Sequence, residues 1–362
     1  MTSDIPITLQ IATAPAYEFI LSLCVWSDVD EHASLDIGPE WFAAIRAYAP
    51  RELLDAIAQI AQGSDMVLAH LLTIVPADSE PPDVPAFIDL LEQYDPAEMH
   101  LRLVGGGIRY CEDATPIDVM RAAVAGDPAA RREFLRTSDP EDARWQAALR
   151  HLLSLHSRAL HADLIEILRG WYDAVFHGQE ADLMEPIICD ATNRRKQMEH
   201  DSPLVVIRAA ANGYEYVPEE GIRRVILVPS VVTRPQLHLF DHGDTKWICV
   251  PVADECLATD PLMPPPRLAR MLKALGDERR LRILRLLATG SFSLGQLAAQ
   301  FGLGKTLMHH HLTILRGAGL ILVRNGNPMV YTLRYDTLAQ VGPLLDAFLA
   351  PPPRKDLPDA SS

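Results

Sequence analysis

Cysteine is scarce in this sequence, and its few positions form no metal-binding or disulfide pattern. The five cysteines include no C-x-x-C pair and make an odd set. Zinc ribbons are built from such pairs, and small disulfide-stapled domains are built from even sets of cysteines. We therefore expect buried free thiols, without a disulfide framework, at Cys24, Cys111, Cys189, Cys249 and Cys256.

Long hydrophobic runs are also missing. The apolar run FILSLCVW, residues 19–26, is flanked by Glu18 and Asp28. A membrane-spanning helix needs roughly 20 consecutive apolar residues, so this run is too short. The first residues, MTSDIPITLQ, lack the basic segment that begins a secretory signal peptide. We expect a cytoplasmic protein without a membrane partner.

Acidic residues are in excess overall, but the two parts of the chain carry opposite charge. The formal net charge is −15, yet residues 263–362 contain 13 Lys and Arg against 6 Asp and Glu, a net of +7. The preceding residues contain 20 against 42, a net of −22. This asymmetry suggests a basic nucleic-acid module joined to an acidic body. Chance clustering would give the same counts, so the decision rests on the motifs.

Prolines mark the expected domain boundary. The seam DPLMPPPRL, residues 260–268, coincides with the change of charge sign, and its last proline can begin a helix. Before it, most segments have helical apolar periodicity, and β-rich runs follow from about Gly213. We expect residues 1–262 to form an acidic, mostly helical body, with a small antiparallel sheet near 213–252 and DHGDT as its hairpin turn. Residues 263–349 would form a second domain, and residues 350–362 a disordered tail.

The second domain has the element order of a winged helix-turn-helix. RLARMLKALG and DERRLRILRLLATG predict two helices, the second with Asp277 as N-cap and Gly290 as stop. SLGQLAAQFGLGKTLMHHHLTILRGAGL predicts two short helices joined by the turn FGLG, and ILVRNGNPMVYTLR predicts two strands. The fold class is therefore mainly α with a small antiparallel β part.

From about Leu268 to Arg334, this module resembles the ArsR-type family of bacterial winged-helix transcriptional regulators. The resemblance runs through ALGDERRLRILRLL, LAAQFGLGKTLMHHHLTILRGAGLI and VYTLR. It implies a DNA-binding regulator, expected to be a repressor, whose recognition helix spans Lys305 to Arg316. Some members carry a long helical domain ahead of the winged helix, which implies oligomerisation or sensing of an unidentified small-molecule effector.

Three consecutive histidines in GKTLMHHHLTIL allow three interpretations. Chelation within one helix needs ligands three or four residues apart, and His309, His310 and His311 have no such partners. The segments where metal-sensing relatives carry ligands, SLGQLAAQF and YDTLAQVGPLLDAFLA, contain neither cysteine nor histidine, so we expect no metal and no cofactor. GLGKT matches the end of a phosphate-binding loop, but Ala299 stands at the first glycine position and a helix precedes the loop.

DNA contact is the remaining interpretation. At about 100° per residue, Leu307, Met308, Leu312, Ile314 and Leu315 lie on one side of the helix, with His311 expected among them as a half-buried, hydrogen-bonded histidine. The other side carries donors that suit base edges and phosphates. By resemblance, the strand turn adds contacts near the minor groove or backbone. The predicted DNA-binding residues are Lys305, Thr306, His309, His310, Thr313, Arg316, Arg324 and Asn325.

Dimerisation is expected because one short recognition helix reads few bases, so such modules pair across a palindromic operator. The family pairs through its first and last helices, and the last helix here carries an apolar stripe of Leu338, Val341, Leu345 and Phe348. Gly342-Pro343 should kink or split this helix. The alternative is that the stripe packs on the amino-terminal body.

Two other function classes stay open. An enzyme with a winged-helix appendage would need an active site, for which Asp241 and His242 are weak candidates in a turn. A protein-interaction domain would keep the fold without DNA affinity, which the outward Lys305, Thr306 and Arg316 oppose. Within the body, Trp171, Tyr172 and Phe176 would line an effector pocket or, more commonly for aromatics at helical spacing, belong to the core.

Overall fold

The computed structural model describes residues 7–62, 64, 66–76, 83–108, 113, 115–139, 142–257, 262–324 and 328–350. Within them the protein is mostly helical with small sheets. The chain divides into two compact units. Unit 1 comprises residues 1–211 and 218–256, and unit 2 comprises residues 212–217 and 257–362. The second unit thus begins slightly before the expected boundary and also takes in six residues from the amino-terminal part. Except for Ala350, the expected disordered tail lies outside the described residues.

Helices make up most of unit 1, and many begin with a cap that the local sequence supplies. The carboxylates of Asp95 and Asp127 accept backbone N–H bonds in the first turn of helices that start with proline. The long helical stretch near residues 144–176 is divided at His156, whose ring accepts the N–H of Arg158 at 3.3 Å. The helices are α1 (Pro15–Ser27), α2 (Pro39–Tyr48), α3 (Arg51–Ala61), α4 (Met66–Ala69), α5 (Val84–Glu92), α6 (Pro96–Leu103), α7 (Ile117–Val124), α8 (Pro128–Thr137), α9 (Ala143–Ser154), α10 (Ser157–Trp171), α11 (Glu180–Met198) and α12 (Pro203–Ala210).

The sheet of unit 1 is mainly parallel, so the expected small antiparallel sheet is wrong. Its order is β1 (Thr8–Ile11), β3 (Arg224–Ser230), β5 (Thr245–Pro251) and β4 (His238–His242), and only β4 runs antiparallel to its neighbour. The physical reason is visible in β3 and β5, which are mostly apolar and buried on both faces, as parallel strands usually are. The hairpin between β4 and β5 is confirmed, with Gly243 at its turn.

Two cysteines of unit 1 form a disulfide, contrary to the expectation of free thiols. Cys189 of α11 is bonded to Cys256, in the short helical turn Asp254–Cys256 at the end of the unit. Their sequence separation of 67 residues hides this pairing from any local pattern. Cys24 and Cys249 are buried free thiols, as expected, and Cys111 lies outside the described residues.

Unit 2 contains the predicted helices and a second small sheet. Its sheet order is β2 (Tyr214–Glu215), β7 (Ile321–Arg324), β8 (Val330–Leu333) and β6 (Phe292–Ser293). The predicted β7–β8 hairpin is antiparallel, whereas β2 joins β7 in parallel from the part of the chain that was expected to belong to the body. The helices are α13 (Pro266–Leu275), α14 (Glu278–Leu287), α15 (Leu294–Phe301), α16 (Lys305–Gly317), α17 (Tyr335–Leu338) and α18 (Val341–Leu349).

The boundaries of these helices follow local chemistry. Pro266 occupies the first turn of α13, as the proline seam predicts. Asp277 is confirmed as the N-cap of α14, since its carboxylate accepts the N–H of Arg280 at 2.9 Å. Among the helices described, none is long and apolar enough to cross a bilayer.

Candidate nucleic-acid interface

The two helices α15 and α16 are joined by a short turn whose ends are fixed by the sequence. Ser293 caps α15 in a capping box: its hydroxyl accepts the N–H of Gln296, and the Gln296 amide oxygen accepts the N–H of Ser293 at 2.8 Å. Gly302 ends α15 with a left-handed φ of 63°, which glycine adopts without strain. Gly304 is the N-cap of α16. The turn therefore sets where α16 begins.

One face of α16 is anchored in the core of the protein. Met308, Leu312 and Leu315 are each at most 1% exposed, in agreement with the predicted apolar side. Leu307 differs from the prediction, because it lies in the first turn and its side chain is 42% exposed. The anchored face fixes the rotation of the helix and so determines which polar side chains face outwards.

The opposite stripe of α16 is accessible at its amino-terminal end only. Lys305, Thr306 and His309 are exposed, and His310 and Arg316 are partly buried. Thr313 is 7% exposed, so its side chain is not accessible in this structure, and its predicted DNA contact stays a prediction. Helical periodicity correctly places Thr313 in line with Lys305 and His309, but it cannot report what covers the far end of the stripe.

His311 is more deeply buried than expected and has no hydrogen-bond partner in the described part of the chain. It is 6% exposed, and both ring nitrogens are unpaired. Burial lowers the pKa of His311, and the nearby Asp277 carboxylate opposes that shift. The neutral His311 ring lies on the buried side of α16 and therefore contributes to packing, not a positive charge that would attract DNA.

Some of the arginines of α14 have structural partners. The Arg280 guanidinium donates to the carbonyl oxygens of Lys273 and Ala274, each at 2.8 Å, and so caps the end of α13. Arg282 lies over the ring of Phe301, with its guanidinium carbon 5.5 Å from the ring centroid. Arg279 and Arg285 are exposed.

The predicted wing residue Arg324 ends strand β7 at the protein surface. Its side chain is 61% exposed, and its Nε lies 2.6 Å from the Glu215 carboxylate of β2. Sequence reasoning did not find Glu215, because the strand pairing that brings it to Arg324 spans 109 residues. Asn325 lies outside the described residues and stays a prediction.

Comparisons with known proteins match this part of the chain. Residues 277–322 match the model of the arsR family of bacterial regulatory proteins. The chain is 41% identical over 85 residues to the HTH-type transcriptional regulator CmtR of Mycobacterium tuberculosis, which covers 23% of this chain and 72% of that protein. It is 34% identical over 80 residues to the arsenical resistance operon repressor of Staphylococcus xylosus, covering 22% and 77% respectively. The chain belongs to the ArsR family.

A solved structure matches a similar fraction of the chain. Reduced HlyU from Vibrio cholerae is 31% identical, covers 24% of this chain and 90% of that one, and gives a TM-score of 0.19. These matches leave most of unit 1 without a counterpart. The statement they support is that this ArsR-family chain is a transcriptional regulator with a helix-turn-helix domain.

The last helix of this ArsR-family chain has an apolar stripe that is only partly buried. The stripe is divided between α17 and α18 near Gln340, so the predicted split occurs. Pro343 lies in the first turn of α18, where a backbone N–H has no partner within the helix and its absence in proline costs no hydrogen bond. The four stripe residues are partly buried, and Leu349, at the end of α18, is 67% exposed. α18 packs along α13, where Leu272 is 42% exposed.

The other candidate sites have structural explanations. Burial lowers the pKa of His242 to about 4. The Asp241 carboxylate lies 3.6 Å from the buried Lys246 ammonium, and this ion pair stabilises the hairpin. Trp171 and Phe176 are fully buried members of the unit 1 core rather than the lining of a pocket. Among the described residues, no group of three His, Cys, Asp or Glu is placed to hold a metal ion.

Proposed function

We propose that this ArsR-family regulator is a repressor that binds a palindromic operator as a homodimer, with α16 as its recognition helix. The observation that carries the proposal is the exposed amino-terminal end of α16, where Lys305, Thr306 and His309 share one stripe after the α15–α16 turn. In helix-turn-helix proteins the first residues of the recognition helix meet the base edges.

The chemistry of this stripe suits double-stranded DNA. The Lys305 ammonium donates to guanine edges or phosphates, and Thr306 and His309 offer both donors and acceptors to base edges. His310 and Arg316 flank the stripe and would contact the DNA backbone. Thr313 is left out of the interface because it is buried.

The β7–β8 hairpin supplies a second contact as the wing of a winged helix. Arg324 stands at its exposed end, where a guanidinium is suited to the narrow minor groove or to a phosphate. Asn325 is proposed to join it. The proposed site then contains a helix, α16, that contacts base edges, and a hairpin, β7–β8, that contacts the DNA backbone.

The dimer is proposed to form through α13 and α18. The partly buried stripe of α18, with Leu272 of α13 42% exposed and Leu349 67% exposed, favours association with a second copy, since a monomer would leave this apolar surface in water. Two copies related by a twofold axis present two α16 helices to half-sites one DNA turn apart.

Unit 1 is proposed to sense a signal and to change DNA affinity. An effector does so only if it binds the DNA-competent and DNA-incompetent states with different affinities. The names of two relatives, the arsenical resistance operon repressor and the transcriptional repressor SdpR of Bacillus subtilis, support repression as the outcome. We propose a cytoplasmic, non-enzymatic regulator without a cofactor.

Hydroxyl-radical footprinting of the DNA upstream of the coding sequence tests this proposal. The expected result is two protected patches with centres about 10 base pairs apart, or a multiple of that spacing. A single patch would contradict the dimer and the palindromic operator. Absence of protection at all protein concentrations, with intact folded protein, would contradict DNA binding itself.

A further inference from the structure

A six-residue segment from the amino-terminal part of the chain lies within the DNA-binding unit. We call residues Asn212–Val217 the strap. The chain enters the strap directly after α12, which ends at Ala210, and returns to unit 1 before β3, which begins at Arg224. Both ends of the strap are therefore covalently continuous with unit 1.

The strap is docked on the edge of β7 by its backbone. The Val323 N–H donates to the Gly213 carbonyl at 2.7 Å, and Tyr214 and Glu215 pair in parallel with Val323 and Arg324. Gly213 has a φ of +89°, and a Cβ on it would lie 2.7 Å from the Ile321 carbonyl oxygen. Only glycine allows so close an approach without strain. The contact is thus built into the sequence.

Side-chain contacts and burial also fix the strap in place. The Asn212 amide oxygen accepts from the Arg334 guanidinium at 3.4 Å. Tyr214 and Tyr216 are 2% and 6% exposed, so two aromatic side chains are buried within six residues. Burial on this scale distinguishes the strap from a loop that passes over the surface.

The docked strap lies beside two residues of the proposed DNA interface. The Glu215 carboxylate lies 2.6 Å from the Arg324 Nε, with the Glu215 side chain 21% exposed and the Arg324 side chain 61% exposed. A Cβ on Gly213 would lie 3.4 Å from Cγ of Arg316. A carboxylate bound to a guanidinium occupies the same donors that a DNA phosphate would use.

We propose that the strap restrains DNA binding, with Glu215 holding the Arg324 guanidinium in place of a DNA phosphate. This inference rests on the proposed function and adds its regulation. A signal that moves α12 or β3 in unit 1 pulls on the strap, releases Arg324 and raises DNA affinity, and the reverse movement lowers it.

The size of the effect is modest. An exposed ion pair changes an equilibrium by a factor of about two to five, so the strap tunes affinity rather than abolishing it. Releasing Arg324 also adds one phosphate contact, which steepens the dependence of log K on log salt by about 0.9.

The test is a double-mutant cycle measured by fluorescence anisotropy of full-length protein on its upstream DNA, at several salt concentrations. The proteins are wild type, Glu215→Gln, Arg324→Gln and the double variant. Glutamine keeps the size of Glu215 and the backbone bonds of the strap. Glu278→Gln is the matched control, because Glu278 is an exposed acid of the same unit on α14.

The expected result is about threefold tighter binding by Glu215→Gln, with a steeper salt dependence and no tightening when Arg324 is also replaced. Glu278→Gln should match wild type. The inference is overturned if Glu215→Gln binds DNA no more tightly than wild type. It is also overturned if Glu278→Gln tightens binding equally, or if the double variant binds more tightly than Arg324→Gln to the same degree. If wild type prefers its upstream DNA over a scrambled duplex, such a result refutes the strap alone. If wild type shows no preference, the proposed function fails and the inference fails with it.

Discussion

At the scale of residues, the proposed interface is narrower than a helical projection suggests. The six polar residues projected onto the outer side of α16 are not equally accessible, and the exposed ones lie in its first turns. Thr313 belongs to the same stripe but is buried, so it contributes to packing. We therefore propose that specificity depends on Lys305, Thr306 and His309, and substitutions at these positions test the proposed interface most selectively.

Replacing Lys305 with alanine should weaken DNA binding without unfolding the protein, because this side chain is exposed. If the ammonium contacts a phosphate, the slope of log K against log salt decreases by about 0.9. If it reads a base, binding to the operator alone weakens, by about 1 to 3 kcal/mol. Anisotropy titrations on operator and scrambled duplexes distinguish these cases.

Lys196→Ala is the matched control, since Lys196 is an exposed lysine of α11 in unit 1. It should leave both affinities at the wild-type value. An equal loss in the two variants would indicate a general charge effect, and no loss in Lys305→Ala would remove this residue from the interface.

At the scale of elements, the local features of unit 2 could be predicted because short-range chemistry determines them. Asp277 caps α14, and Pro266 lies in the first turn of α13, as the sequence indicates. The sheets could not be predicted in the same way. β1 pairs with β3 across more than 200 residues, and β2 pairs with β7 across 109. No local pattern encodes such partners.

The same limit applies to the disulfide and to the ion pair of the interface. Cys189 and Cys256 look unremarkable in the sequence, since neither has a cysteine neighbour at a recognisable spacing. Glu215 looks like any acidic residue near a strand. In both cases the tertiary fold, rather than the flanking residues, creates the chemistry.

Leu345→Glu in α18 should prevent dimer formation, because it places a charge in the apolar face proposed to meet its copy. Sedimentation velocity should then give the monomer mass for 362 residues. Operator binding should weaken, since the two half-sites are no longer bound together. Val205→Glu is the control, as Val205 is an exposed apolar residue of α12 at 45% exposure. A dimer that persists in Leu345→Glu, or a wild-type monomer, would contradict this interface.

At the scale of the whole molecule, each unit can be followed separately. All five tryptophans, Trp26, Trp41, Trp145, Trp171 and Trp247, belong to unit 1. Tryptophan fluorescence therefore reports unfolding of unit 1, and DNA binding reports on unit 2. This separation permits two predictions about the acidic body that do not depend on its unidentified effector.

Unit 1 should lose stability as the pH falls from about 6.5 to about 4. Burial lowers the pKa of His70, His100 and His242 to about 4, so the unfolded chain binds protons there in a pH range where the folded unit does not. Burial raises the pKa of Glu18 to about 7, which acts in the opposite direction between pH 4.5 and 7. Three groups outweigh one, so the net effect is destabilisation by acid.

Urea unfolding followed by tryptophan fluorescence measures this dependence. In His242→Gln one of the three groups is removed, and the slope of the unfolding free energy with pH should decrease by up to about 1.4 kcal/mol per pH unit. Stability that stays constant or rises on acidification would contradict the burial of these histidines in neutral form.

Reducing the disulfide between Cys189 and Cys256 should lower the stability of unit 1. The bond closes a loop of 67 residues, and chain entropy alone attributes about 4 kcal/mol to a loop of that size. A reductant should lower the urea midpoint of tryptophan fluorescence in wild type. It should have no effect in a Cys189→Ser/Cys256→Ser variant, because Cys24 and Cys249 are free thiols in the structure. An equal response in both proteins would place the reducible bond elsewhere.

The central claim is that this ArsR-family chain reads a DNA sequence through the exposed end of α16. The most direct test is the ratio of wild-type affinities for the upstream DNA and for a scrambled duplex of equal length, measured by anisotropy near physiological salt. The account predicts a ratio of about 1,000 or more, with both affinities falling as salt rises. A ratio near one, or no binding to either duplex, would contradict it.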